Sequence, residues 1–145
     1  MAHIRQSIRD AVVTALTGLT TTATRVERSR VYDVASLPSL SIYTLEDALE
    51  EDSETFSDDQ FRRIALTVEA RAKATANVDT TLDTIDSEVS VALYGDAALA
   101  LLIKDIRWTG ASIEFEQQEQ PIGLNTITFD ILYRTDATNP TAALA

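Results

Sequence analysis

The side chains in this chain that could do chemistry are mainly carboxylates. Residues 46 to 61, EDALEEDSETFSDDQF, hold Glu46, Asp47, Glu50, Glu51, Asp52, Glu54, Asp58 and Asp59 and no basic residue. Clustered carboxylates serve three ends. Calcium binding in a helix–loop–helix site needs D-x-[DN]-x-[DN]-G-x5-E spacing with a central glycine, and this stretch has neither; a weak, diffuse cation site is the lesser form of the same chemistry. Paired-carboxylate hydrolysis needs two carboxyl groups in different environments across a cleft, which a solvated run does not supply. The third use is electrostatic, a surface of one sign held ready for a partner.

The rest of the catalytic repertoire is thin. The only histidine is His3, near the N-terminus, and there is no cysteine. A lone terminal histidine does not complete a nucleophile–base–acid triad, and thiolate chemistry and disulfides are excluded. The four glycines, at 18, 95, 110 and 123, fall outside any phosphate-cradling or nucleophile-elbow pattern. Accordingly no catalytic residue, metal ligand or cofactor is assigned, and the expected work is binding.

The acidic run has an electrostatic complement. Arg25, Arg28 and Arg30 precede it and Arg62 and Arg63 follow it. Within one subunit such contacts are surface pairs worth about 0–1 kcal/mol each. Between subunits, complementary charge sets register and orientation, and a head-to-tail ring needs two different complementary surfaces on every copy. The candidate interface residues are therefore Asp47, Glu50, Glu51, Asp52, Glu54, Asp58 and Asp59 on the acidic side and Arg25, Arg28, Arg30, Arg62 and Arg63 on the basic side. The net charge of -11 opposes binding to nucleic acid phosphates.

These residues must be positioned by regular elements. The 145 residues fit one domain, and Gly and Pro are scarce. Ile4, Ile8, Val12 and Leu16 recur at helical spacing, widened by Ala11, Ala15 and Leu19, and Gly18 is a terminator. Residues 20 to 33 favour strand, and a second strand runs from about Leu40 to Leu45 after a turn near Pro38. Residues 46 to 59 lack alternation and read as a long loop joining two strands. QFRRIALTVEARAKA alternates, with Ile64, Leu66, Val68 and Ala70 on one face and Arg63, Thr67, Glu69 and Arg71 on a wet one. Val78, Leu82, Ile85, Val89 and Leu93 stripe a second helix that Asn77 or Asp79 starts and Gly95 ends, and Asp96 caps a short turn after it. Residues 105 to 116 form a strand bent or bulged near Trp108 and Gly110. The last strand buries Ile127, Phe129, Ile131 and Tyr133.

The order αβββαββ predicts a two-layer α+β domain, with about five mostly antiparallel strands and two main helices on one face. The domain spans residues 1 to 135, and residues 136 to 145 are a flexible tail. The N-terminal segment is broken by Arg5, Arg9 and Asp10 and is not a signal peptide, and no run is long enough to span a membrane.

Taken together, IRDAVVTALTGL, TRVERSRVYDVASLPSLSIYT, the acidic loop, RRIALTVEARAKA, LDTIDSEVSVAL and KDIRWTGASIEFEQQEQPIGLNTITFDILYRT resemble the tail terminator family of long-tailed bacteriophages, the minor tail protein U-like, tail-completion proteins. The likeness runs from about Ile4 to Thr135 in element order and short phrases, without a diagnostic motif. It implies a virion protein assembled in the host cytoplasm. Six copies would form a ring on the head-proximal end of the tail, stop polymerisation of the major tail tube protein and present a surface to the head–tail connector. DNA would pass through the ring without specific binding. A neck or head-completion connector is the alternative within virion assembly, and a carboxylate- or metal-dependent enzyme the alternative outside it.

Overall fold

The computed structural model describes residues 3–28, 37–49, 59–73, 77–116, 121–136 and 138–143. Helix α1 spans Ile4–Leu16, strand β1 Val26–Glu27, β2 Ser39–Leu49 and β3 Asp59–Lys73. Helix α2 spans Val78–Tyr94 and the short α3 Ala97–Ala100, followed by β4 Asp105–Glu116, β5 Ile122–Asp136 and β6 Asn139–Ala143. The strands form one curled sheet in the order β1-β2-β3-β5-β4, with β6 pairing on β5. All pairings are antiparallel except β1 with β2. The expected α+β architecture is therefore present, with two main helices against one face of a mostly antiparallel half-barrel.

The core follows from two periodicities. Ile4, Ile8, Val12 and Leu16 of α1 and Val78, Leu82, Ile85, Val89 and Leu93 of α2 are the buried helix positions. They meet alternate residues of the central strands, among them Leu40, Ile42, Ile64, Leu66, Val68, Ile127, Phe129 and Ile131. Register aligns the strand faces: Ile64 lies opposite Ile131, Leu66 opposite Phe129 and Val68 opposite Ile127. At Gly123 a methyl group would stand 2.7 Å from Val78 Cγ2 and 3.3 Å from Leu82 Cδ1, so glycine lets α2 approach β5 closely. Gly18, at φ +97°, follows α1 in the left-handed region that ends helices. Asp96 caps α3 through the Leu99 amide at 2.8 Å, whereas Asn77 begins α2 without a side-chain cap.

Four features depart from the sequence expectations. First, 46–49 and 59 belong to strands, so the paired part of the β2–β3 hairpin reaches Leu49 opposite Arg62. A bulge between Thr44 and Glu46 breaks the alternation there, which is why the strand reads as ended at Leu45. Second, the face of β3 opposite the helices is not uniformly wet, because Thr67, Glu69 and Arg71 are buried. Third, the paired part of the first predicted strand is Val26–Glu27; residues 29–36 lie outside the described residues. Fourth, the segment expected to be a flexible tail contributes β6, with Thr135 opposite Ala143 and Asp136 opposite Asn139.

Candidate functional site

The charged residues gather where the β2–β3 hairpin leaves the helix layer. The bulge at Leu45 absorbs one residue, so that Asp47, rather than Glu46, continues the core-facing row of Leu40, Ile42 and Thr44 and sits opposite Ile64. Its side chain is only 8% exposed. Tyr133 Oη donates a hydrogen bond to Asp47 Oδ2 at 2.7 Å, and Arg5 Nε of α1 stands 3.4 Å from the same oxygen. Asp47 Oδ1 is buried and finds no hydrogen-bond partner among the described residues.

Around this carboxylate the first turn of α1 and the start of β3 close in. His3 caps α1, its Nδ1 accepting the Arg5 amide at 3.1 Å. Burial, with Arg5 and Arg62 nearby, holds its imidazole below the ordinary value of 6.5. Arg62 lies opposite Tyr133 in the ladder and directs its Nε and Nη2 to Gln60 Oε1 at 3.1 and 2.7 Å. Burial and the hydrogen bond to Asp47 push the Tyr133 hydroxyl up to about 12, with the Arg62 guanidinium acting in the opposite sense. The phenol therefore stays a neutral donor to Asp47 across the physiological range. The cluster anchors the base of the hairpin that carries the acidic run.

The predicted basic residues separate into two groups. Arg25 donates from Nε to the Pro38 carbonyl at 2.7 Å and from Nη2 to the Thr21 carbonyl at 3.0 Å, so it ties the β1 region to the start of β2. Arg28 pairs with Asp10 of α1 on the open surface. Both lie toward the Leu40 end of β2, since the Arg25 carbonyl accepts the Leu40 amide at 2.9 Å. Arg62 and Arg63 lie at the other end, beside the acidic run, where Arg63 Nη1 meets Asp130 Oδ2 at 3.0 Å. Leu40 and Leu49 are nine residues apart along β2, roughly 30 Å at about 3.4 Å per residue. Arg30, Glu50, Glu51, Asp52, Glu54 and Asp58 lie outside the described residues, and Asp59 is placed as the first residue of β3.

Several polar residues were invisible to pattern reading. Tyr133 looked like an ordinary core aromatic. Arg5 fell on the polar side of α1. On the opposite sheet face, Arg71 donates to Glu69 and, at 2.7 Å, to Ser41 Oγ, while Tyr43 Oη donates to Glu69. This buried pair links β2 to β3 from the side without helices. A surface depression of about 350 Å³ is lined by Gly18, Leu19, Val91 and Glu88, among others. Its carboxylate is already engaged, because Glu88 accepts the Thr21 amide at 2.9 Å. Among the described residues no three His, Cys, Asp or Glu side chains converge on one point suited to a metal, and no helix is long and apolar enough to cross a membrane.

No protein-family model matches the chain, and no curated protein matches it.

Proposed function

We propose that this chain is a phage tail terminator, a structural protein that forms a ring on the head-proximal end of the tail tube, stops tube growth and offers a docking surface for head–tail joining. The observation that supports it most is the spacing of opposite charge along β2. In sequence the acidic run follows the Leu49 end of β2, while β1 holds Arg25 and Arg28 toward its Leu40 end. Such a separation suits a head-to-tail contact between copies, in which the Arg25–Arg28 region of one meets the acidic run of the next, while Arg62 and Arg63 stay with the acidic end. Arg28 is able to take part because its pair with Asp10 is exposed on both sides and therefore weak. Arg25 contributes charge without being released, since its hydrogen bonds are structural. In this reading the ring is hexameric, meets the tube protein on one face and a connector protein on the other, and lets DNA pass a lumen of like sign.

The test is electron microscopy of particles from a phage carrying this gene and from its deletion. Overlong tubes of uncontrolled length without heads are expected from the deletion. Tails of normal length that fail to join heads would instead identify a neck or head-completion connector and overturn the assignment. Stoichiometric, tight binding of a divalent metal to the purified chain would revive the enzymatic alternative.

A further inference from the structure

Strand β4 presents a surface that the ring reading does not use. Among the described residues it is the last strand on its side of the sheet, paired only with β5. Such an edge offers unpaired N–H and C=O groups to any incoming strand. It also carries apolar side chains: Trp108, Ile113 and Phe115 are 44%, 43% and 51% exposed. Their partners on β5 are Phe129, Asn125 and Gly123, so all three stand on the helix-side face.

The bulge at Thr109 makes the strand self-complementary. Before it, Ile106 and Trp108 take the helix-side face and Arg107 the opposite one; after it, Ala111, Ile113 and Phe115 take the helix-side face and Glu114 the opposite one. An antiparallel pair of two β4 strands about a two-fold axis at Ala111 sets Gly110 against Ser112. It also sets the Trp108–Thr109 bulge against Ile113, Arg107 against Glu114 and Ile106 against Phe115. Apolar residues then meet apolar residues on one face, and an Arg–Glu pair forms twice on the other. The Trp108 amide at the bulge is already taken up by Tyr94 Oη at 2.7 Å, so the new pair does not have to satisfy it. A pair centred on Ile113 instead would set Glu114 against Ser112 and forgo the Arg107–Glu114 match. The one opposed contact is at the rim, where Asp105 faces position 116 in water and salt screens it.

We propose that β4 is a self-pairing edge through which two copies of this chain form a two-fold dimer in the free state. This goes beyond the ring reading and does not depend on it. A two-fold pair closes on itself after two copies, whereas a ring needs head-to-tail contacts, so the β4 pair and the ring contacts use different surfaces of each copy.

The test uses the purified full chain. Light scattering after gel filtration, from low to high micromolar concentration, is expected to give twice the chain mass. Trp108, the only tryptophan, is expected to shift its emission to the blue as dimer forms. Arg107→Glu and Glu114→Arg each set like charges together twice and are expected to weaken the dimer about tenfold or more. An equimolar mixture of the two variants restores opposite charge at both pairs and is expected to restore the dimer. A wild-type chain that stays monomeric at every concentration would overturn the proposal. So would single variants that dimerise like wild type, or a mixture that stays monomeric. A six-copy ring with no dimer would overturn it while leaving the ring reading standing.

Discussion

At the scale of single residues, the molecule places its polar risk at two sites. Tyr133 is the donor that satisfies Asp47 Oδ2. Tyr133→Phe leaves Asp47 Oδ2 with Arg5 as its remaining partner among the described residues and is expected to cost about 1–2 kcal/mol in urea unfolding. The pH dependence has a definite sign. Below pH 10 the phenol is protonated in the folded and the unfolded chain alike. Between 10 and about 12 the unfolded chain releases the proton while the folded chain keeps it. Stability therefore falls with rising pH across that window, by up to about 3 kcal/mol in all, and the slope from this group vanishes in Tyr133→Phe. At the second site, Arg71→Met strands the Glu69 carboxylate without its buried guanidinium and is expected to cost about 3–5 kcal/mol. Adding Glu69→Leu recovers most of that loss, because an apolar pair replaces a buried ionic one. A double change as unstable as the single would show that packing, not charge, dominates there.

At the scale of elements, Gly123 decides how closely α2 sits on β5. Gly123→Ala drives a methyl group against Val78 and Leu82, and calorimetry is expected to show a loss of about 1–3 kcal/mol. Both helices were legible in the sequence down to every buried position, since the stripes of α1 and α2 have one period and no interruption. The core-facing residues of β3 and β5 were equally legible. What hid was whatever depends on a neighbour. The bulge near Leu45 cancels alternation, so a strand end looked like a loop. The burial of Glu69 and Arg71 looked like a wet face, because period-two reading shows which residues share a face and not what lies over it. β6 hid because Asn139–Ala143 has no pattern of its own and takes its order from β5. The bulge at Trp108 and Gly110 was visible because a glycine inside a strand is a strong mark.

At the scale of the whole molecule, charge was legible as a sum and only partly as a map. The acidic run and its Arg complement were plain in the sequence, but Arg25 turned out to clamp backbone carbonyls and Arg63 to pair with Asp130. Only the fold could show that β1 holds Arg28 toward the start of β2, away from the Leu49 end that the acidic run follows in sequence. Replacing Glu50, Glu51, Asp52 and Glu54 by Ser is expected to leave thermal unfolding nearly unchanged, because like charges so close in sequence repel rather than support one another. In phage assembly the same variant is expected to fail at capping the tail. Normal capping by a folded variant would make the acidic run a bystander and would remove the main electrostatic support for the ring.

The β2–β3 hairpin has one further consequence. Its ladder is fixed from Leu49 opposite Arg62 inward, and Asp47, Tyr133 and Arg5 lock its base. The outermost pair of that ladder, Leu49 and Arg62, holds the two strands side by side there. Lengthening a connection of this kind adds closure entropy only slowly, about 0.6 kcal/mol per doubling. The sequence between 49 and 59 thus joins two ends that the ladder already holds together, so a change in its length asks little of the framework that folds the protein.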